Sequence, residues 1–242
     1  MTFFMHACAF FIKMITLPLH VAETVGLLSF YKRVFPYVMS KCADAYNDKM
    51  NDKKRELFRS LSKFYPTNGP LRILEVGCGS GANFGYYPTG CKLTCTDPNP
   101  HFRSYLEKSM AKNDHLVYDS FVVASGENLQ GVEDNSVDVV VSTLVLCSVK
   151  DVHKVLEETK RVLRPGGAFF FMEHVVSDPS SWIYFLQHVL QPLWYYMGYF
   201  CETTRAIWKD LEEAGFSDLQ LRHIHPPLFF MIRPHIVGYA VK

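Results

Sequence analysis

Residues Leu71–Val76 (LRILEV) run directly into Gly77-Cys78-Gly79-Ser80-Gly81. A short apolar strand ending in glycines at every second position leaves few folds open. Glycine lets the chain turn sharply and lets a ligand approach the backbone without meeting a Cβ. An acid, Glu75, stands two positions before the first glycine. The next apolar run, Cys91–Thr96, ends on Asp97, about 20 residues past the loop, where a carboxylate can accept both hydroxyls of a ribose. Asp97-Pro98 is also good turn chemistry, but the glycine loop upstream favours the ribose role. The G-x-G-x-G spacing alone also suits a nicotinamide dehydrogenase, since Ala82 follows where a looser dinucleotide fingerprint tolerates it.

Downstream, short apolar runs alternate with helical patterns. Strands are expected at LRILEV, CKLTCT, FVVA, VDVVVST, AFFFME, LQLRHI and VGYAV. Helices are expected after Gly81 and at Pro100–Lys112, Val152–Leu163, Trp182–Tyr196 and Thr204–Ala214. Such alternation predicts a parallel sheet covered on both faces. Upstream, Ala43–Tyr65 carries Leu57, Phe58, Leu61 and Phe64 at helical spacing, and Pro66-Thr67-Asn68-Gly69-Pro70 breaks that helix as a linker.

Met1–Phe30 has a different composition, mostly apolar and interrupted by Lys13, His20 and Glu23. It is long enough to span a bilayer but broken, and Pro18 is expected to kink it. The first cation is Lys13, so the charged start of a cleavable signal is missing. The reading is an uncleaved membrane anchor lying in one leaflet; a buried helix of the globular core is the alternative. Lys32 and Arg33 then hold the remainder in the cytosol. The expected division is 1–35 anchor, 36–70 N-terminal helix and linker, and 71–242 catalytic domain.

The formal net charge of +1 builds no basic face, which argues against a nucleic-acid partner. With 48% hydrophobic and 20% charged residues, a sizeable core is expected. The 7 cysteines are scattered; Cys91 and Cys95 are close but lie in a strand with no second pair at zinc-ligand spacing. Neither a disulfide framework nor a metal site is expected from spacing.

ILEVGCGSG, TDPNP, SVDVVVSTLVLCSV and RVLRPGG, in that order, resemble the motifs of class I S-adenosylmethionine-dependent methyltransferases. KKRELF, LVLCSVKDV, RVLRPGGAFFFMEHV and PHIVGYAVK resemble the methyltransferase-like seven family, thiol S-methyltransferases held on the endoplasmic reticulum and lipid droplets by an N-terminal apolar segment. The resemblance spans nearly the whole chain, and LVLCSV and PHIVGYAVK are its most specific stretches. It implies an α/β, Rossmann-like sheet, mostly parallel with an antiparallel C-terminal strand, plus an N-terminal anchor helix. It implies S-adenosyl-L-methionine as cofactor and a small lipophilic thiol as substrate. Glu75, Gly77, Gly79 and Gly81 correspond to the loop around the methionine part of the cofactor, Asp97 to the ribose acid, and Pro98 and Asn99 to the adenosine border. Ser125, Gly126 and Glu127 correspond to the adenine end, although many class I enzymes have Asp where Ser125 stands.

Thr143 to Cys147 end the fourth expected strand, which places Thr143, Leu144 and Cys147 beside the sulfonium, with Cys147 a neighbour of the substrate or apolar filler. His174 ends the fifth strand and is either a general base or a structural histidine. The chemistry asks little of acid and base groups, because a sulfonium methyl is already a good electrophile and a free thiol is partly ionised near neutrality. Alignment of nucleophile, methyl and leaving sulfur in a dry pocket is the main requirement. Ser181–Phe200, dense in aromatics, is expected to be core or a lid over an apolar substrate at the membrane surface. Methylation of a lipid or quinone at carbon or oxygen, and a cofactor-binding lipid-droplet scaffold, are the other readings.

Overall fold

The computed structural model describes residues 2–27 and 29–242. Among them, seven strands form one sheet in the order β3-β2-β1-β4-β5-β7-β6. These are β1 (Arg72–Val76), β2 (Lys92–Thr96), β3 (Val117–Val122), β4 (Val137–Thr143), β5 (Leu163–His174), β6 (Asp218–Ile224) and β7 (His235–Val241). β1 pairs parallel with β2 and β4, β2 with β3, and β4 with β5, whereas β7 lies antiparallel between β5 and β6. The sheet is therefore the Rossmann-like, mostly parallel arrangement expected, with its antiparallel C-terminal strand.

Successive residues of the central strands feed opposite faces, and both faces are buried. Ile73, Val139, Val141, Phe170 and Met172 pack on one side, with Leu57, Phe58 and Leu61. Leu74, Val140, Phe169 and Phe171 pack on the other, with Val155 and Leu156. This two-sided burial is why these strands are continuous apolar runs without alternation.

The helices are α1 (Thr2–Thr24), α2 (Ser29–Arg59), α3 (Arg103–Met110), α4 (Val152–Val162), α5 (Trp182–Met197) and α6 (Ile207–Glu213). α4 opens on Asp151, whose side chain accepts the Lys154 N–H, and buries Val152, Val155, Leu156, Thr159 and Val162 along one stripe. α1 passes through Pro18, and the apolar run breaks instead at Gly26, in the left-handed region at φ 78°. α2 begins at Ser29, well before Ala43, so the 35/36 division falls inside a helix.

Two expected elements differ. No α-helix follows Gly81; a single 3-10 turn forms at Phe84–Tyr86, because Gly85 is a poor helix former and Pro88 ends the segment. The third strand is Val117–Val122, upstream of most of FVVA. Among the described residues it pairs only with β2, and on such an edge Tyr118, Asp119 and Ser120 need not be apolar.

α1 packs along α5, where Met5 meets Phe185 and Val189. Cys8 and Ile12 pack beside them, and the opposite face of α1 is turned outward, with Phe3, Phe10, Phe11, Ile15 and Val21 exposed.

Candidate active site

The order reverses between β1 and β4, and the carboxyl ends of strands at such a switch point are where open α/β sheets bind ligands. Gly77, Gly79 and Gly81 all have positive φ. A Cβ on Gly77 would lie 2.5 Å from Val145 Cγ2, so the loop after β4 is seated directly on the glycine loop. At Gly79 the nearest atom a Cβ would meet is 3.7 Å away, on the Phe102 ring.

Asp97 closes the other side of the cradle. Its Oδ2 accepts the Gly79 N–H at 3.1 Å and its Oδ1 the Asn99 N–H at 2.8 Å. Burial pushes its carboxyl up to about 6 despite these two bonds. Pro98 is exposed and Asn99 is buried. Ser125 Oγ donates to Glu127 at 2.6 Å, while Glu127 Oε1 accepts the Lys150 and Asp151 N–H groups. Glu127 thus ties the Ser125–Gly126 turn to the start of α4. Gly126 itself is required by contact, since a Cβ there would sit 2.9 Å from Val76.

After β4 the chain is held in an unfavourable shape. Leu144 has φ 59°, the left-handed region that a branched side chain avoids. Leu144 N–H donates to Met172 O, and the buried Glu173 carboxylate accepts from Ser142 Oγ, Val145 N–H and Leu146 N–H. Glu173 therefore clamps the loop that carries Leu144 to Cys147. Next to it, His174 Nε2 lies 3.0 Å from Cys201 Sγ, and His174 Nδ1 is buried without a hydrogen-bond partner among the described residues. Cys147 joins this pair. Its thiol is held well above the ordinary value by the hydrogen bond with Cys201 and by burial.

Residues 74–171 match the methyltransferase domain family. The chain is 55% identical over 220 residues to thiol S-methyltransferase TMT1A of Homo sapiens, covering 90% of each protein. It is 49% identical over 233 residues to thiol S-methyltransferase TMT1B of Homo sapiens, covering 96% of each. The chain belongs to the thiol S-methyltransferase family. Two solved structures share its fold. A SAM-dependent methyltransferase of Thermotoga maritima superposes with a TM-score of 0.54 at 14% identity, over 85% of this chain and 99% of that one. The trans-methyltransferase CalH, in complex with S-adenosylhomocysteine, gives 0.53 at 22% identity over 80% of this chain and 55% of that one. This member of the family is an S-adenosylmethionine-dependent methyltransferase.

The residues present fit that cofactor. The Gly79 face is free of close side-chain contact, and the Asp97 carboxylate, with one backbone N–H on each oxygen, retains lone pairs for two hydroxyls. Glu75, at the end of β1, is held by two side-chain hydrogen bonds. Its Oε1 accepts from Asn83 Nδ2 at 2.8 Å and its Oε2 from Tyr87 Oη at 2.6 Å. Asn83 Nδ2 also reaches Thr143 Oγ1, and Lys54 Nζ donates to Asn83 and Asn47. Burial raises the Glu75 carboxyl to about 7 and lowers the Lys54 ammonium to about 8. This network fastens α2 to the glycine loop, with Asn47 Nδ2 donating to Ala82 O. Lys54, Asn83 and Tyr87 were missed by motif reading. Lys54 sits in a charged run, and the signal that marks it is its place in the stripe Met50, Lys54, Leu57, Phe58, Leu61.

The aromatic segment divides between core and cover. Phe185 and Val189 are buried against α1, whereas Trp182 is 75% exposed. Just past α5, Tyr199 and Phe200 are both left-handed, at φ 56° and 67°. Tyr199 stacks on Phe35 of α2 at 3.9 Å between ring centroids, and Asn99 Nδ2 donates to Lys32 O. The start of α2 and the end of the α5 segment thus meet over Asp97 and Asn99.

Proposed function

We propose that the protein transfers the methyl group of S-adenosylmethionine to the sulfur of small lipophilic thiols at the endoplasmic reticulum or lipid-droplet surface, its catalytic domain facing the cytosol. The observation that carries this reading is the identity of 55% and 49% with two thiol S-methyltransferases over nearly the whole chain. Bound S-adenosylmethionine supplies an electrophilic methyl on a sulfonium. Gly77, Gly79 and Gly81 receive its methionine part, Asp97 its ribose, and Pro98, Asn99, Ser125, Gly126 and Glu127 border its adenosine. Glu75 holds the loop in shape. Thr143, Leu144, Cys147 and His174 line the place where the thiol meets the methyl. Leu144, Val145 and Leu146 offer an incoming molecule no partner for extra charge, and an unpaired buried charge is costly.

Among the described residues, one helix, spanning Phe3–Thr24, is long and apolar enough to cross a membrane. Its exposed face favours an anchor over a buried core helix. Functionally, the anchor lies within residues 1–35, 36–70 serve as N-terminal helix and linker, and 71–242 as the catalytic domain, with Lys32 and Phe35 at the start of α2 reaching back to Asn99 and Tyr199.

The test is a rate series with a small apolar thiol, glutathione and a matched phenol, at saturating labelled S-adenosylmethionine. The apolar thiol is expected to lead both others by at least tenfold, about the discrimination a single mispaired contact supplies. A phenol methylated as fast as the thiol, or a preference for glutathione, would defeat the thiol assignment and leave the class I methyltransferase intact.

A further inference from the structure

Cys147, His174 and Cys201 reach one point from three parts of the chain: the loop after β4, the last residue of β5, and the segment beyond α5. Their Sγ, Nε2 and Sγ atoms all lie within 4.8 Å of one another, and none of the three residues is more than 6% exposed. Regarded only as a set of hydrogen bonds, the cluster is weakly held: Cys147 Sγ reaches Leu144 O at 3.6 Å and Ser148 Oγ at 3.5 Å, and the shortfall falls on His174. Thiols are weak donors and weak acceptors, so the His174 ring has only sulfur on one side and, among the described residues, no partner for Nδ1 on the other. Polar groups buried this deeply normally find strong partners.

The donor set is one that a soft divalent ion takes. Zinc binds thiolate sulfur and neutral imidazole nitrogen, and two cysteines with one histidine are a known three-ligand catalytic set that keeps one position for water or substrate. Two further observations agree. Trp194 Nε1, which can only donate, points at Cys201 Sγ from 3.2 Å, the contact expected of a sulfur that carries negative charge. The cluster also sits beside the reaction centre. Cys147 is two residues past Val145, which closes on Gly77, and His174 follows Glu173, which clamps the same loop.

We propose that Cys147 Sγ, His174 Nε2 and Cys201 Sγ hold a zinc ion whose fourth position takes the sulfur of the substrate thiol. The proposal rests on the thiol reading and explains how one sulfur nucleophile is selected over an oxygen one. The incoming thiol displaces a water from the ion and gives its proton to solvent water, because a thiol coordinated to a cation is deprotonated. The thiolate sulfur forms a bond to the methyl carbon. The bond from that carbon to the sulfonium sulfur breaks, and its electron pair stays on the sulfur of S-adenosylhomocysteine. The neutral thioether is a weaker ligand than thiolate and leaves, and water returns. A phenol gains less from a soft site. The contact of Nε2 with Cys201 leaves that nitrogen as a ligand and removes it as a general base.

The experiment uses the full-length chain, purified in detergent under reducing conditions from zinc-supplemented medium. Elemental analysis is expected to find about one zinc per chain, as a single three-ligand site requires. Cys147→Ser and Cys201→Ser are each expected to weaken zinc at least tenfold, with calorimetric binding of S-adenosylhomocysteine showing that the variants remain folded. Cobalt(II) exchanged into the wild type should show sulfur-to-metal charge-transfer absorption that intensifies with butanethiol and ignores phenol, a readout that needs neither variants nor turnover. Reduced wild type that methylates butanethiol with no metal bound overturns the proposal and leaves the thiol reading standing, as does a Cys147–Cys201 disulfide whose reduction yields no zinc binding. A cobalt spectrum indifferent to butanethiol overturns the fourth-ligand role. Zinc at full occupancy with no thiol methylated strikes the thiol reading itself, and the metal content tells that outcome from the first.

Discussion

At the scale of single residues, Asp97 has the clearest consequences. Hydrogen bonds to a carboxylate contribute about 1.5–3 kcal/mol each. Losing two of them in Asp97→Ala should weaken S-adenosylhomocysteine by at least about a hundredfold, measured by calorimetry on protein whose melting shows it folded. Unchanged affinity would remove Asp97 from the cofactor site. The pH dependence has a definite sign. The Asp97 carboxyl stands near 6, above its ordinary 3.8, because it is buried. Before cofactor binds, the cost of that buried charge is absent below about pH 4, grows as pH rises, and is complete above about 6. The ribose requires the ionised form, so affinity should be flat above pH 7 and fall about tenfold per unit below 6. Asp97→Asn, weaker throughout, should lose this dependence. Gly77→Ala is a second test: its methyl would lie 2.5 Å from Val145 at a φ of 61°. The loop after β4 must then move, and cofactor affinity and turnover should fall together.

At the scale of elements, α2 is more than a lead-in to the sheet. Its Lys54 is 1% exposed and holds Asn47 and Asn83 together beside Glu75. Lys54→Met keeps the volume but strips both amide oxygens of a buried donor and Glu75 of a neighbouring cation. It should cost about 3 kcal/mol, at roughly 1–3 kcal/mol per orphaned group, read as a lower urea midpoint with an unchanged slope. Unchanged stability would mean that the network is solvated in solution. Motif reading places Glu75 beside the glycine loop, and the fold adds its partners Asn83 and Tyr87. The glycine loop, the strand before it and Asp97 are local signals, each written within a few residues. Asn83, Tyr87 and Lys54 are not, because what makes them a site is burial against Glu75 from other turns and another helix. β3 shows the same limit: an edge strand buries little, so Tyr118-Asp119-Ser120 lacks the apolar mark that betrayed β1, β4 and β5.

At the scale of the whole molecule, α1 stands apart from the sheet and touches it through α5. Deleting residues 2–27 should release the chain from membranes on carbonate fractionation while S-adenosylhomocysteine binding is retained. A cut at residue 35 should do worse, because Lys32 O receives Asn99 Nδ2 and Phe35 stacks on Tyr199 beside the proposed cofactor cradle. Membrane retention of the shorter deletion would shift the anchor to the exposed residues Trp182, Leu193 and Met197 of α5. Aggregation with loss of cofactor binding would instead show α1 to be part of the core.

The amino-acid sequence by itself determined the sheet type, the glycine loop with Asp97 at the end of the next strand, and the apolar N-terminal helix, because periodicity, glycine spacing and composition act over short stretches of chain. Only the tertiary structure decided which side chains meet beyond the carboxyl ends of β4 and β5. His174 and Cys201 are 27 residues apart, and their contact, with Cys147 beside them, exists only because β4, β5 and the α5 segment end at the same edge of the sheet. The left-handed Leu144, Tyr199 and Phe200 belong to the same category. No local preference favours those conformations, and the packing of loop on loop, with Glu173 holding the backbone of one of them, imposes them.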